Sequence, residues 1–162
     1  MKKYVLGLAF WNDEVALIYK TKGPAYVIGT WNGIGGKIES YETYPEHAMV
    51  REFKEETGLQ TAAHLWLPFA KQTGISEEPE SSYELNCLMY DFSDLLSRPE
   101  IKNDEGDGEV VEWFNYKDAT FYEKVTPNLQ WIIPLALYRT TGFLEITEHS
   151  WALMPEKANY EL

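Results

Sequence analysis

At 162 residues the chain has room for a single domain, 1–162, with a substantial hydrophobic core, and not for a multidomain assembly. Apolar residues at 44% and aromatics at 15% exclude a disordered chain and suit a strand-rich globule. Asp and Glu outnumber Lys and Arg 26 to 14, a net charge of −12, which disfavours nucleic-acid polymers and anionic membranes as partners. A small phosphorylated ligand stays compatible with that charge, because a divalent cation reverses the local sign of an acidic pocket.

The apolar runs Tyr4–Trp11 and Val15–Lys20 flank the polar Asn12-Asp13-Glu14 and predict a β-hairpin. The first run is too short for a signal peptide's apolar core plus cleavage site, and no stretch approaches a bilayer span. Thr21–Thr30 contains Gly23-Pro24 and Gly29 and reads as a loop leading into the glycine-rich Trp31–Glu39. From Pro45 to Leu59 the spacing of Ala48, Met49 and Phe53 predicts a helix, with Gly58 as its C-terminal cap. Thr43 with Glu46 would make a capping box, whereas Tyr44 before proline resists helical geometry and could itself be the cap. Leu65–Thr73 and Tyr83–Phe92 read as strands around the loop Gly74–Ser82, and Glu109–Tyr116 as a strand after an acidic loop. Asn128–Arg139 is predicted helical, kinked or split by Pro134, and Phe143–Thr147 is a last short strand. Cys87 is the only cysteine, so no intrachain disulfide forms, and a reducing, cytoplasmic compartment is expected. Inside an apolar strand it reads as a core residue.

The chemistry concentrates in the Pro45–Leu59 helix. Glu52, Glu55 and Glu56 stand at i, i+3 and i+4, so three carboxylates share one face of adjacent turns. Arg51 neutralises only part of that charge, and a hard divalent cation with oxygen ligands would compensate the rest. The competing reading is a solvated acidic face.

The frame Gly36 … Glu42 … Arg51-Glu52-Phe53-Lys54-Glu55-Glu56-Thr57-Gly58-Leu59 resembles the Nudix hydrolase signature. At background usage its fixed residues would coincide by chance below ~10⁻⁶ per starting position. One departure is an extra residue between Glu42 and Pro45, with Tyr41 where relatives carry a glycine; it places Glu42 in doubt and leaves the helix register intact. The resemblance implies an α/β fold, specifically an α/β/α sandwich around a central mixed sheet, and hydrolysis of a nucleoside diphosphate linked to another group. It implies Mg²⁺, with Mn²⁺ as a substitute, held by the carbonyl of Gly36 and by Glu52, Glu55 and Glu56. Glu52 or Glu55 would take the proton of the attacking water, and Arg51 would orient a glutamate. A further metal ligand is expected from the acidic loop 104–109, with Glu109 preferred over Asp107; a solvated loop is the alternative.

Trp31-Asn32-Gly33-Ile34-Gly35-Gly36-Lys37 is similar to a segment of oxidised-purine nucleoside triphosphatases in which the asparagine reads the base. Thr126–Leu135 is similar to a segment of bacterial MutT-like pyrophosphohydrolases, although Thr126, Asn128 and Leu129 stand where vertebrate-type relatives place a Trp and two aspartates. The resemblance therefore implies Asn32 and Asn128 on the base and Lys37 on a phosphate. A turn role for Asn32, a solvated Lys37, and core packing for Trp31 and Trp131 are the structural alternatives. The leading expectation is Mg²⁺-dependent conversion of a nucleoside triphosphate, such as a modified purine dNTP, to monophosphate and pyrophosphate. Hydrolysis of NADH or ADP-ribose, and non-catalytic nucleotide sensing, are the alternatives. The partner expected is a small nucleotide, with a homodimer compatible.

Overall fold

The computed structural model describes residues 1–23, 25–74, 82–103, 108–138 and 143–148. Within them the chain forms β1 (Lys2–Trp11), β2 (Glu14–Tyr19), β3 (Trp31–Asn32), α1 (Pro45–Thr57), β4 (Leu67–Gly74), β5 (Tyr83–Asp91), β6 (Val111–Asn115), α2 (Phe121–Lys124), α3 (Leu129–Tyr138) and β7 (Leu144–Glu148). The strands join one mixed sheet in the order β3-β2-β1-β5-β4-β7, with β6 also paired to β2. β1 pairs antiparallel with β2 and parallel with β5, and β4 pairs antiparallel with β5 and parallel with β7.

β1 shows why the sheet is covered on both faces. Val5 and Ala9 join a core with Met49 and Phe53 of α1, whereas Leu6, Leu8 and Phe10 join one with Leu129, Ile132 and Ile133 of α3. Successive strand residues point to opposite faces, so a strand apolar throughout needs a layer on each side. The result is the expected α/β/α sandwich. Phe53, fully buried, packs 5.1 Å from the ring of Trp66 and 6.1 Å from that of Phe92 and fixes α1 on the sheet. Truncating it to alanine costs about 3–5 kcal/mol.

The helix boundaries resolve the capping question. Tyr44, with extended φ −126° and ψ 142°, is the N-cap without a side-chain cap bond, and Pro45 opens the first turn. Gly58 ends the helix at φ 72°, its N–H donating to the Lys54 carbonyl.

Three sequence expectations change, and two short elements are added. Ala63–Leu65 is a 3₁₀ turn, so β4 starts at Leu67 rather than Leu65; the turn lets Trp66 enter the core while its Nε1 donates to Thr61 Oγ1 at 2.9 Å. β6 is shorter than Glu109–Tyr116, and Glu109 lies before it. α3 runs through Pro134 as one helix rather than splitting there; the carbonyl that loses its donor belongs to Gln130, which is exposed to solvent. β3 and the four-residue α2 are too short to leave a periodic signal. Residues 75–81 of the loop after β4, and Arg139, lie outside the described residues.

Candidate active site

β1 and β2 pair only near their turn, at Ala9↔Ala16 through Trp11↔Glu14, and then fork. The glycine-rich segment fills the fork. Its β3 part pairs with Ile18 and Tyr19 on the same edge of β2, while Ile34 and Lys37 bridge to Gly7 and Tyr4 of β1. Reciprocal bonds between Gly7 and Ile34, at 2.7 and 3.1 Å, fix the segment in place. Gly35 and Gly36 then lie directly under α1. A Cβ on Gly36 would sit 2.5 Å from Glu52 Oε1 and displace that flexible carboxylate, whereas one on Gly35, at φ 153°, would strike the Val5 carbonyl, so glycine is required at 35 and at 36 leaves the Glu52 carboxylate against the backbone.

The Gly35 N–H donates to Glu56 Oε2 at 3.2 Å. Burial pushes the Glu56 carboxyl up to about 8; Glu52 and Glu109 add like charge, while Lys20 and the Gly35 N–H oppose the shift. Burial also raises Glu52, against the pull of Arg51. Glu55 is the outer member of the face, with its side chain 59% exposed.

Arg51 organises this face. Its Nε and Nη2 donate to the two oxygens of Glu42 at 2.8 and 3.0 Å, Nη1 to Glu52 at 2.6 Å and Glu55 at 3.3 Å, and Nη2 also to the Lys37 carbonyl at 3.0 Å. Glu42 is closed into its own turn, accepting from the Glu39 N–H at 2.8 Å while its N–H donates to the Glu39 carbonyl at 3.0 Å. The position in doubt from the sequence is thus firmly held. The turn ahead of α1 leaves Tyr41 and Tyr44 exposed, Tyr44 against the His47 ring, and the carboxylates of α1 stay beside the glycine segment.

Glu109 reaches the cluster from the approach to β6. It accepts from Lys20 Nζ and from the Thr21 N–H at 3.2 Å, and its side chain is nearly buried beside Lys20, 3.0 Å away. Its alternative, Asp107, lies outside the described residues. Sequence reasoning missed Lys20, which only the pairing of β2 with the segment before β6 brings to the acids.

The donor set suits a hard divalent cation. It is oxygen-only, charge-rich and partly desolvated, and the side-chain space beside Glu52 is kept open by Gly36. Among the described residues, no three His, Cys, Asp or Glu side chains converge as a ready-made cage. Glu52 and Glu55 are turned toward Arg51, and Gly36 O accepts from the Val5 N–H at 2.9 Å, leaving its second lone pair. Glu52 and Glu56, with Glu109, are the side chains best placed to hold such an ion.

Asn32 lies at the other end of the glycine segment, four residues before Gly36, a separation of at most about 14 Å of extended chain. Its Oδ1 accepts from the Gly33 N–H at 2.9 Å and from Thr126 Oγ1 at 3.0 Å. Thr126 N–H donates to the Trp31 carbonyl at 2.9 Å, which seats the Val125–Asn128 loop on β3. Asn128 is half-buried just before α3, and Lys37 is exposed. Trp31 packs against Tyr19 and Phe114, and Trp131 packs on the α3-side core, each indole half-buried. An open depression of about 440 Å³ lined by Arg98, Ile101, Val111 and Trp113 includes none of these groups. Among the described residues, no helix is long and apolar enough to cross a membrane.

The fold is shared with solved structures. The MutT protein from Bacillus halodurans superposes with TM-score 0.69 at 21% identity, over 92% of this chain and 90% of that one. The NUDIX domain of Shewanella oneidensis NrtR, complexed with ADP ribose, gives 0.61 at 17%, over 86% and 88%. A bifunctional NMN adenylyltransferase/ADP ribose pyrophosphatase from Francisella tularensis, complexed with AMP and a Mn ion, gives 0.65 at 19%, over 84% of this chain but 41% of that longer one. At these identities the likeness establishes the fold. The family follows from the chain itself, whose residues 2–135 match the NUDIX domain model. The helix of glutamates over a glycine segment is therefore that of a NUDIX domain family member, a pyrophosphohydrolase of a family that generally uses divalent metals and acts on nucleoside diphosphates linked to a further group.

Proposed function

We propose that this chain is a Mg²⁺-dependent nucleoside triphosphate pyrophosphohydrolase that releases a nucleoside monophosphate and pyrophosphate. The observation that carries this reading is one continuous segment, Asn32–Lys37, with an amide held at one end and half-buried carboxylates packed on glycines at the other. That arrangement suits a ligand with a base at one end and phosphates at the other.

A divalent cation bound by Glu52, Glu56 and Glu109 would neutralise charge on the phosphate oxygens and lower the pKa of the attacking water. Water adds to one phosphorus of the α–β bridge, the bridging P–O bond breaks, and the water's proton passes to a carboxylate. Glu52 is the favoured acceptor over Glu55, because it lines the glycine segment while Glu55 faces solvent. Arg51 aims Glu52 and is itself aimed by Glu42. Asn32 and Asn128 line the base end, and Lys37 is free to meet a phosphate at the surface. The single cysteine, fully buried, agrees with a cytoplasmic setting.

The test is incubation of the purified chain with Mg²⁺ and a panel of nucleoside triphosphates, ADP-ribose and NADH, with products separated by chromatography. Monophosphate and pyrophosphate from a triphosphate support the reading. Turnover confined to ADP-ribose or NADH overturns it.

A further inference from the structure

Thr126 has no exposed surface, and a buried hydroxyl needs a partner. It finds one across the fold, in Asn32 Oδ1 at 3.0 Å. The same oxygen accepts from the Gly33 N–H at 2.9 Å, which settles which end of the amide is oxygen, since an N–H cannot point at an NH₂. Two donors thus converge on Oδ1. Turning the amide over would set its NH₂ against the Gly33 N–H, which cannot accept, while the Thr126 hydroxyl would have to turn and accept instead; Gly33 therefore decides which end is oxygen, and Thr126 ties that end down across the fold. The other end of the amide, Nδ2, has no hydrogen-bond partner among the described residues, although it is a two-fold donor.

We propose that Thr126 is a positioning residue for base specificity: with the Gly33 N–H setting which end of the Asn32 amide is oxygen, the Thr126 hydroxyl holds that amide so that its NH₂ is offered to the ligand, and the site thereby selects nucleobases that present a carbonyl over those that present an amino group. The inference rests on the base-reading role proposed above for Asn32 and specifies the class of base. A fixed donor pairs with the O6 of a 6-oxopurine or the O4 of a 4-oxopyrimidine, and opposes the amino hydrogens of adenine or cytosine. Thr126 acts through Asn32 alone, from 94 residues further along the chain.

The experiment is equilibrium binding of inosine monophosphate and adenosine monophosphate by calorimetry, without added metal, so that the result does not depend on turnover. Wild type should bind inosine monophosphate about tenfold more tightly, the scale of one hydrogen bond gained against one opposed. Thr126→Ser, which keeps the hydroxyl, should retain the ratio, and Thr126→Val should bring it within about threefold of unity. Asn32→Asp replaces the donor by an acceptor and should favour adenosine monophosphate; it carries the test should Thr126→Val fail to fold. Equal binding of the two nucleotides by wild type, no binding of either, or an unchanged ratio in Thr126→Val and Asn32→Asp would overturn the inference. Failure of the hydrolase reading is separate: it would show as an absence of triphosphate turnover in wild type while the binding preference persists.

Discussion

The two ends of the Asn32–Lys37 segment are built by different means. At the Gly35-Gly36 end, Glu52, Glu55 and Glu56 come from one helix, and their mutual geometry is fixed by the helical repeat, with Glu109 alone added from the approach to β6. At the Asn32 end, the partners come from β3 and from the loop before α3, 94 residues away, and meet only once the sheet is complete. A helix carries its chemistry as a rigid set, whereas a site stitched from loops depends on every contact that seats them. Catalysis and selectivity should therefore be separable by substitution.

The largest effect is expected at the helix end. Glu56→Gln keeps the shape and removes a charge that would hold the cation; turnover should fall on the order of 10³-fold with the far-UV spectrum unchanged. Equal losses on all substrates would sharpen the contrast, and wild-type Mg²⁺-dependent turnover would break it. Gly36→Ala would push the Glu52 carboxylate off the backbone and should weaken Mg²⁺ activation by about 10- to 100-fold, read as a shift in the metal titration.

Glu42→Ala frees the Arg51 fork and should cost about 2 kcal/mol in denaturant unfolding, with a smaller loss of turnover. The sign of its pH dependence follows from Arg51, whose bond holds the Glu42 carboxyl below its ordinary value of 4.5. The contribution is present above pH 4.5 and is lost as the pH falls through that lowered value, so wild type and Glu42→Ala should converge in stability on the acid side. At the other end of the segment, Asn128→Ala should alter the ratio of kcat/KM between bases by less than about tenfold and leave the best substrate's kcat nearly unchanged. A uniform effect on all nucleotides would count against base reading. Deleting Tyr44 should do least, because the exposed turn ahead of Pro45 absorbs the extra residue. Metal dependence should be retained with a modest change in rate.

The same contrast explains what could be read from the sequence. The α1 face was legible because Glu52, Glu55 and Glu56 are neighbours in sequence and on the helix, and β1 and β2 because their apolar runs have nowhere to go but a two-sided core. Trp31-Asn32 pairs over two residues, too few for a period to show. Leu65 looked strand-like and instead belongs to a turn, a choice set by where Trp66 is buried. Glu42 was the weakest placement because spacing counts residues, while its position is fixed by the Arg51 fork. Lys20 beside Glu109, and Thr126 beneath Asn32, carry no local signal at all, since each contact joins distant segments through the sheet.

The central claim is that one end of the segment performs the chemistry and the other chooses the base. Its most direct test is kcat/KM for inosine triphosphate and adenosine triphosphate in wild type, Glu56→Gln and Thr126→Val, measured side by side. The account predicts that Glu56→Gln lowers both values by the same factor and preserves their ratio, while Thr126→Val collapses the ratio and retains kcat for inosine triphosphate. A changed ratio in Glu56→Gln, or a uniform loss in Thr126→Val, would contradict it.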